Sequence, residues 1–571
     1  MPDKTEKHSP AVQASKLPLP EEAVKKIYGR IPPYCRWAAA AAFIIGLITH
    51  MFFLVNKLPN GDDLSELYHY NSMISSGRWL DILSKGLTSY YSIPWASGLV
   101  CLILLAISCA LICSLLGIRQ KSGVLAAAAI LVAFPTMASY FSYLYYMDLY
   151  MLTLLFSVWA VWLCRRSNWG LLPGALLLAL ALGNYQAYLG VTAVLCLLTL
   201  VSDCLKDEKN LKAILFLTLR YLVMGGLGYL LYSLILQWAL RFLAAELSSY
   251  QGIAGMGFAP FGAAALLDFV EKAYTNFLSY FYGDQFFSSP LIIKLVYTLL
   301  LALSLIWLAL AAARTLRQNE KAAARARRSG GPAAGLSRLL LCLLFLSALP
   351  LAYNLIYFMA PDAFLHSLMQ PQYALFWLMP LMFYELAYPG ARGAGTAEAA
   401  GGAARALSPK GGPVTFFQSL SRWLLLGSAA AMFYFFFLTV NISYLHLHLK
   451  YEITYATELR ILDRIEGLPD YRPDTPVCVI GAFPNENMSL YPYHTQDIVK
   501  GLVGINGNLV HHYYNYNGFY KNYLGRQLNL IRDDDEQKKE IMAWPQVKSM
   551  PIWPKEGAVA MVEGIVIVKI N

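Results

Sequence analysis

Charge is what this chain lacks. Asp, Glu, Lys and Arg make up 14% of its 571 residues, against about 25% in a soluble domain. That scarcity excludes an ordinary soluble fold. The nine cysteines sit mainly inside apolar runs (Cys101, Cys109, Cys113, Cys164, Cys196, Cys204 and Cys342), with Cys478 apart. Neither disulfide nor zinc spacing is present. There is no Walker loop, no dinucleotide-binding glycine fingerprint and no Gly-x-Ser-x-Gly elbow, so the chemistries those motifs serve have no basis here. His446 and His448 lie two apart, which on a helix turns them to different sides, so no metal site is expected there.

What the chain has is hydrophobicity, at 57% of residues. Apolar runs lie near 37–56, 94–117, 122–141, 147–164, 171–185, 187–204, 214–240, 291–313, 337–357, 372–388 and 423–443. Each approaches the roughly 20 residues that a bilayer requires. This predicts an all-α polytopic membrane protein with about eleven transmembrane helices. Lys4, Lys7, Lys16, Lys25, Lys26, Arg30 and Arg36 precede the first run. Arg119 and Lys121, Arg165 and Arg166, Lys206, Lys209 and Lys212, Arg314 through Arg328, and Arg392, Arg405 and Lys410 fall between alternate pairs of runs. The opposite connections near 142–146, 184–186 and 358–371 carry no Lys or Arg. The asymmetry predicts a cytoplasmic N-terminus and an extracytoplasmic C-terminus. A long polar lead-in argues against a cleavable signal. The net charge of +10 follows from these loops, so no nucleic-acid partner is expected.

The layout divides into a cytoplasmic segment (1–36), a membrane domain (37–443) with external loops at 57–93 and 244–290, and an extracytoplasmic α/β domain (444–571). A Gly/Ala-rich linker covers 389–413. In the first loop, Leu64, Leu67, Tyr68, Met73 and Ile74 predict an amphipathic helix along the interface. After the last span, Tyr451–Ile465 reads as a helix with Ile453, Ala456, Leu459, Leu462 and Ile465 inward. Strands are expected at 477–482, 558–562 and 565–570, the last two joined by Glu563-Gly564.

The segment Asn60-Gly61-Asp62-Asp63-Leu64-Ser65-Glu66 carries the strongest chemical signal. Asp63 and Glu66 have capping-box spacing. A partly desolvated carboxylate at the outer surface can also act as a general base. Arg78 and Lys85 read either as interfacial anchors or as grips for a lipid phosphate. Asp148 reads as a helix cap or a second acid in the same cavity. Asn184, Tyr185 and Gln186 interrupt two apolar helices, where they cap them or bind hydroxyls. Tyr140, Tyr143, Tyr145, Tyr146 and Tyr150, among 38 tyrosines, suit either an aromatic belt or stacking on sugar rings. His366 is a further substrate-binding candidate.

With Asn60-Gly61-Asp62-Asp63, Gly77-Arg78 and the run Lys450-Tyr451-Glu452, Tyr455-Ala456 and Arg460 to Glu466, the chain resembles the bacterial Gtr type II glucosyltransferases of the GT-C superfamily. The resemblance implies a GT-C-like fold in the bacterial cytoplasmic membrane. It implies transfer of a sugar, usually glucose, from a polyprenyl-phosphate carrier to a cell-surface glycan such as O-antigen, with inversion. A first-loop acid, Asp62 or Asp63, would be the base, and Arg78 and Lys85 would steady the leaving phosphate. A monophosphate leaving group requires no metal, and no cofactor is expected. The late loop Phe358 to Gln372 lacks a cation, so a second one would be Lys272 or Lys294. Partners would be the lipid bilayer, the lipid-linked donor, the glycan acceptor, a small flippase and a donor-synthesising glycosyltransferase. A transporter or flippase of a lipid-linked glycan, and a non-enzymatic scaffold, are the alternatives.

Overall fold

A computed structural model of the chain describes residues 19–571, apart from 66, 69–71, 89, 207–208, 249–262, 284–288, 327–331, 361–364, 390–415, 484–489 and 491–492. Residues 1–18, Glu66, most of the 244–290 loop's first half and the linker after residue 389 therefore lie outside the described residues.

The protein is a multi-pass helical membrane protein. Among the described residues eight helices are long and apolar enough to cross a bilayer, or nine if one bent pair is a single span. The expected count of about eleven is reached only if two shorter apolar helices are added to these. The bent pair is Lys121–Ala133 with Thr136–Ser142, turned by 51°. Pro135 explains the break: it cannot donate to the preceding turn, and it pushes Phe134 into extended backbone. The two remaining apolar segments, Asn168–Asn184 and Tyr373–Ala387, are helices too short to count as spans.

Among the described residues the first loop holds no interfacial helix. Its described residues form short turns, Asp62–Leu64, Ile74–Ser76 and Lys85–Thr88, and one helical turn, Asp81–Ser84. Its backbone closes short turns on itself, such as Gly77 N–H to Ile74 O (2.8 Å) and Ser84 N–H to Leu80 O (3.0 Å), and it is also pinned from outside. Leu80 N–H donates to Gly183 O (3.0 Å). The Trp79 ring lies where a side chain on Gly183 would go. The loop thus folds onto the end of the Leu171–Asn184 helix.

The Phe416–Glu466 helix runs 51 residues, over twice the length a bilayer needs, so its second half stands clear of the apolar zone. There Leu462 and Ile465 are buried as expected, but the rest of the inward face differs. Ile453, Ala456 and Leu459 are exposed, whereas His446, Lys450, Thr454 and Glu458 are buried at a spacing of four. The C-terminal region covers that polar stripe. It holds a four-stranded sheet of order β2-β1-β4-β3, with β1 Pro476–Ile480, β2 Asn529–Leu530, β3 Val559–Val562 and β4 Ile565–Lys569. β1 is parallel to β2 and β4, and β3 and β4 form an antiparallel hairpin. Glu563 and Gly564 both take positive φ at its turn, as a tight two-residue hairpin demands.

Candidate active site

The site begins with a reciprocal pair. Asn60 N–H donates to Asp63 Oδ2 (3.0 Å), and Asp63 N–H donates to Asn60 Oδ1 (3.0 Å). This is capping-box logic with Asn60 at the start. Asp63 then accepts from Leu144 N–H (3.3 Å) and Tyr145 N–H (3.2 Å). Those amides are presented by the turn that follows the bent Thr136–Ser142 helix. Asp63 is 1% exposed. Burial pushes its carboxyl up to about 7, against the backbone donors that pull it down.

Asp62 has the opposite setting. It is exposed, and Tyr514 O–H reaches its Oδ1 at 3.4 Å. Crowding by its walls raises its carboxyl, while Tyr514 and then His512 lower it.

The C-terminal region forms the other wall. Asn515 Nδ2 donates to Gly61 O (2.8 Å) and Asn522 Nδ2 to Leu64 O (2.9 Å). Gly518 permits this approach: a Cβ there would lie 2.3 Å from Leu64 O. These residues sit on the Tyr513–Asn522 helix, whose N-terminus His512 and Asn515 cap reciprocally. Sequence reasoning missed this wall. Its only trace was the Tyr- and Asn-rich run 513–523.

Arg78 is stacked over Tyr185 (4.5 Å) and Tyr146 (5.3 Å). Its Nη1 faces Met73 Sδ, and its buried Nε has no partner. Tyr143 and Tyr145, both half-buried, feel the charges of Asp62, Asp63 and Arg78. Burial and then Asp62 raise the Tyr145 hydroxyl, Asp63 adds to this, and Arg78 lowers it. His366 faces Arg78: burial lowers its imidazole, and the Arg78 charge lowers it further, to about 4. Its buried Nδ1 has no partner.

Other expected residues serve as supports. Lys85 is 1% exposed and ion-paired with Asp81 (3.1 Å), so its charge is matched within the loop. Tyr146 O–H donates to Asn184 O (2.8 Å), and Ser84 Oγ donates to Asn184 Oδ1 (3.0 Å). Gln186 Nε2 donates to Ser76 O (2.9 Å) and to Tyr232 Oη (3.0 Å), bracing the turn before Arg78. Asp148 is buried and accepts from Leu149 N–H (3.0 Å) at a helix start. Lys272 is paired with Asp268 (2.9 Å) on the Ala263–Tyr282 helix, and Lys294 lies in the first turn of Leu291–Ala326. Aromatic residues of these two helices pack on Tyr353, Tyr373 and Trp377. Tyr140, Tyr150 and Tyr188 are buried against one another. Among the described residues no three His, Cys, Asp or Glu side chains converge as a metal site would need.

The arrangement thus offers an exposed carboxylate and a stacked guanidinium that both act on the Tyr145 hydroxyl, and a neutral imidazole that feels the guanidinium. A family model described as glucosyl transferase GtrII matches residues 51–383, more than half of the chain. That span contains Asp62, Arg78 and His366. No curated protein and no solved structure matches.

Proposed function

We infer a function from one premise: the chain belongs to the glucosyl transferase GtrII family. On this reading it is a GT-C-type enzyme that moves glucose from a polyprenyl-phosphate donor to a surface glycan. Asp62 is the general base and Asp63 holds it in place. The acceptor hydroxyl gives its proton to Asp62 as its oxygen attacks the anomeric carbon. The bond from that carbon to the phosphate oxygen breaks, and the polyprenyl phosphate leaves with the electron pair. A single displacement inverts the centre. Arg78 faces the departing phosphate, where a planar guanidinium can donate two hydrogen bonds. His366, neutral at working pH, is suited to a sugar hydroxyl.

One observation carries this reading. The adjacent carboxylates divide the work, since Asp63's oxygens are engaged by three backbone N–H groups while Asp62 stays open. The Lys and Arg asymmetry favours a bacterial cytoplasmic membrane with Asp62 on the outer face and the N-terminus inside. A donor loaded inside would then need a synthesising glycosyltransferase and a small flippase as partners.

The test is reconstitution in liposomes with radiolabelled polyprenyl-phosphate-glucose and isolated surface glycan. The expected result is label in the glycan with the opposite anomeric configuration. Transfer from a nucleotide sugar, with the lipid donor untouched, would contradict the reading.

A further inference from the structure

At the end of the bundle remote from Asp62, a cavity of about 340 Å³ opens between four helices. The distance follows from the Pro94–Leu116 helix, whose 23 residues span roughly 35 Å from the Asp62 end to this one. Three cations from three separate elements line the cavity. Arg119 follows the Pro94–Leu116 helix, Lys206 caps the end of Leu189–Leu205, and Arg314 lies on Leu291–Ala326. Gln318 adds a polar group.

One carboxylate, Glu385, also lines it. Glu385 Oε1 accepts from the backbone N–H groups of Arg119 (3.2 Å) and Gln120 (3.0 Å). Much of its charge is therefore met by amides, which leaves the recess net positive. Gly117 ends its helix at φ 72°, and a Cβ there would sit 3.3 Å from Lys206 Nζ. The glycine keeps this wall open.

Cations are common at the cytoplasmic ends of membrane helices, and a scattered set would mean only topology. Convergence on one recess is different, and the surface leading to it is informative. Ile306, Leu310 and Arg314 recur at a spacing of four on one helix face. Ile306 and Leu310 are exposed on a helix that is two-thirds unburied. An apolar track thus runs along the bilayer-facing side and ends at a guanidinium. Leu116 and Leu386 add apolar lining beside Arg314 within the cavity. A soluble anion would need only the cations, whereas an anionic lipid uses both the cations and the track.

We propose that this recess binds the phosphate headgroup of an anionic membrane lipid, with an acyl chain along Ile306 and Leu310. The shared chemistry is a phosphate, and the source is a membrane lipid instead of a free ion. The inference is independent of glycosyl transfer and of Asp62.

The experiment places the full chain in nanodiscs of phosphatidylcholine, with or without phosphatidylglycerol. Bound lipid is counted by native mass spectrometry, and thermal unfolding is followed in parallel. Phosphatidylglycerol is expected to remain bound and to raise Tm. R119Q, K206Q and R314Q should each weaken that binding about fivefold, on the scale of one basic residue at an anionic membrane surface. K121Q, a cation of the same connection outside the recess, should leave it unchanged. Equal loss in K121Q would show diffuse surface charge and overturn the proposal. So would binding unaffected by all three variants, or a Tm rise produced by inorganic phosphate alone.

Discussion

Asp62 and Asp63 are chain neighbours in opposite environments: Asp63 is 1% exposed and holds three backbone N–H groups, whereas Asp62 is exposed beside the Tyr514 hydroxyl. The difference goes with the Asn60 pairing, which turns Asp63 inward and leaves the preceding Asp62 outward.

Asp63→Asn should act on folding more than on chemistry. An amide in that position turns an NH₂ group toward backbone donors and loses part of the network. Each orphaned buried group costs about 1–3 kcal/mol. Thermal unfolding in detergent should show a drop of several degrees, and full-strength folding would argue against the anchoring role.

Arg78 is stacked on Tyr185 and Tyr146, so its shape matters as well as its charge. Arg78→Lys keeps the charge but loses the planar fork. Both Arg78→Lys and Arg78→Gln should cut kcat/KM for the lipid donor by about 10–100-fold, the worth of one charge-assisted contact. Wild-type kinetics in Arg78→Lys would mean that only a point charge is needed.

Gly77 precedes Arg78 at φ 72°, and a Cβ there would lie 2.6 Å from Gln186 Nε2 and 2.8 Å from the Tyr232 hydroxyl. Gly77→Ala should therefore destabilise the loop by about 1–3 kcal/mol, combining backbone strain with overpacking. The check is Tm together with donor KM, since Arg78 moves with this turn.

The layout was legible because apolar runs and Lys/Arg asymmetry depend on local composition. The breaks were not. Pro135 bends one run, and the helix ending at Asn184 is too short to span. A capping pair forms at Asn60-x-x-Asp63, a spacing shared with the expected Asp63-x-x-Glu66, whose Glu66 lies outside the described residues. The amides of Leu144 and Tyr145 that also hold Asp63 are distant in sequence and left no local signal. The inward face after residue 444 was read correctly at Leu462 and Ile465 and misjudged before them, for a related reason. The apolar period pointed to Ile453 and Leu459, but Ile505 O and the hydroxyls of Thr495 and Tyr520 supply partners for Lys450, His446 and Glu458.

Glu458 gives this seam a pH dependence. It lies beyond the apolar half of its helix and accepts from the Tyr520 hydroxyl (2.7 Å). Burial pushes its carboxyl from 4.5 to about 7, against that hydrogen bond. The folded state therefore holds the proton more tightly than the unfolded chain. Its stabilising contribution is complete below pH 4.5 and is lost as pH rises through about 7. Glu458→Gln, a neutral mimic, should flatten that part of the Tm–pH curve. An unchanged slope would show that Glu458 is not its source.

The central claim is that Asp62 takes the acceptor's proton. In the reconstituted assay, Asp62→Asn should lower kcat by about 10²–10⁴-fold, the usual contribution of a general base. Its Tm and donor binding should match wild type. Asp62→Asn that turns over at the wild-type rate, with the donor and acceptor bound as before, would contradict the account.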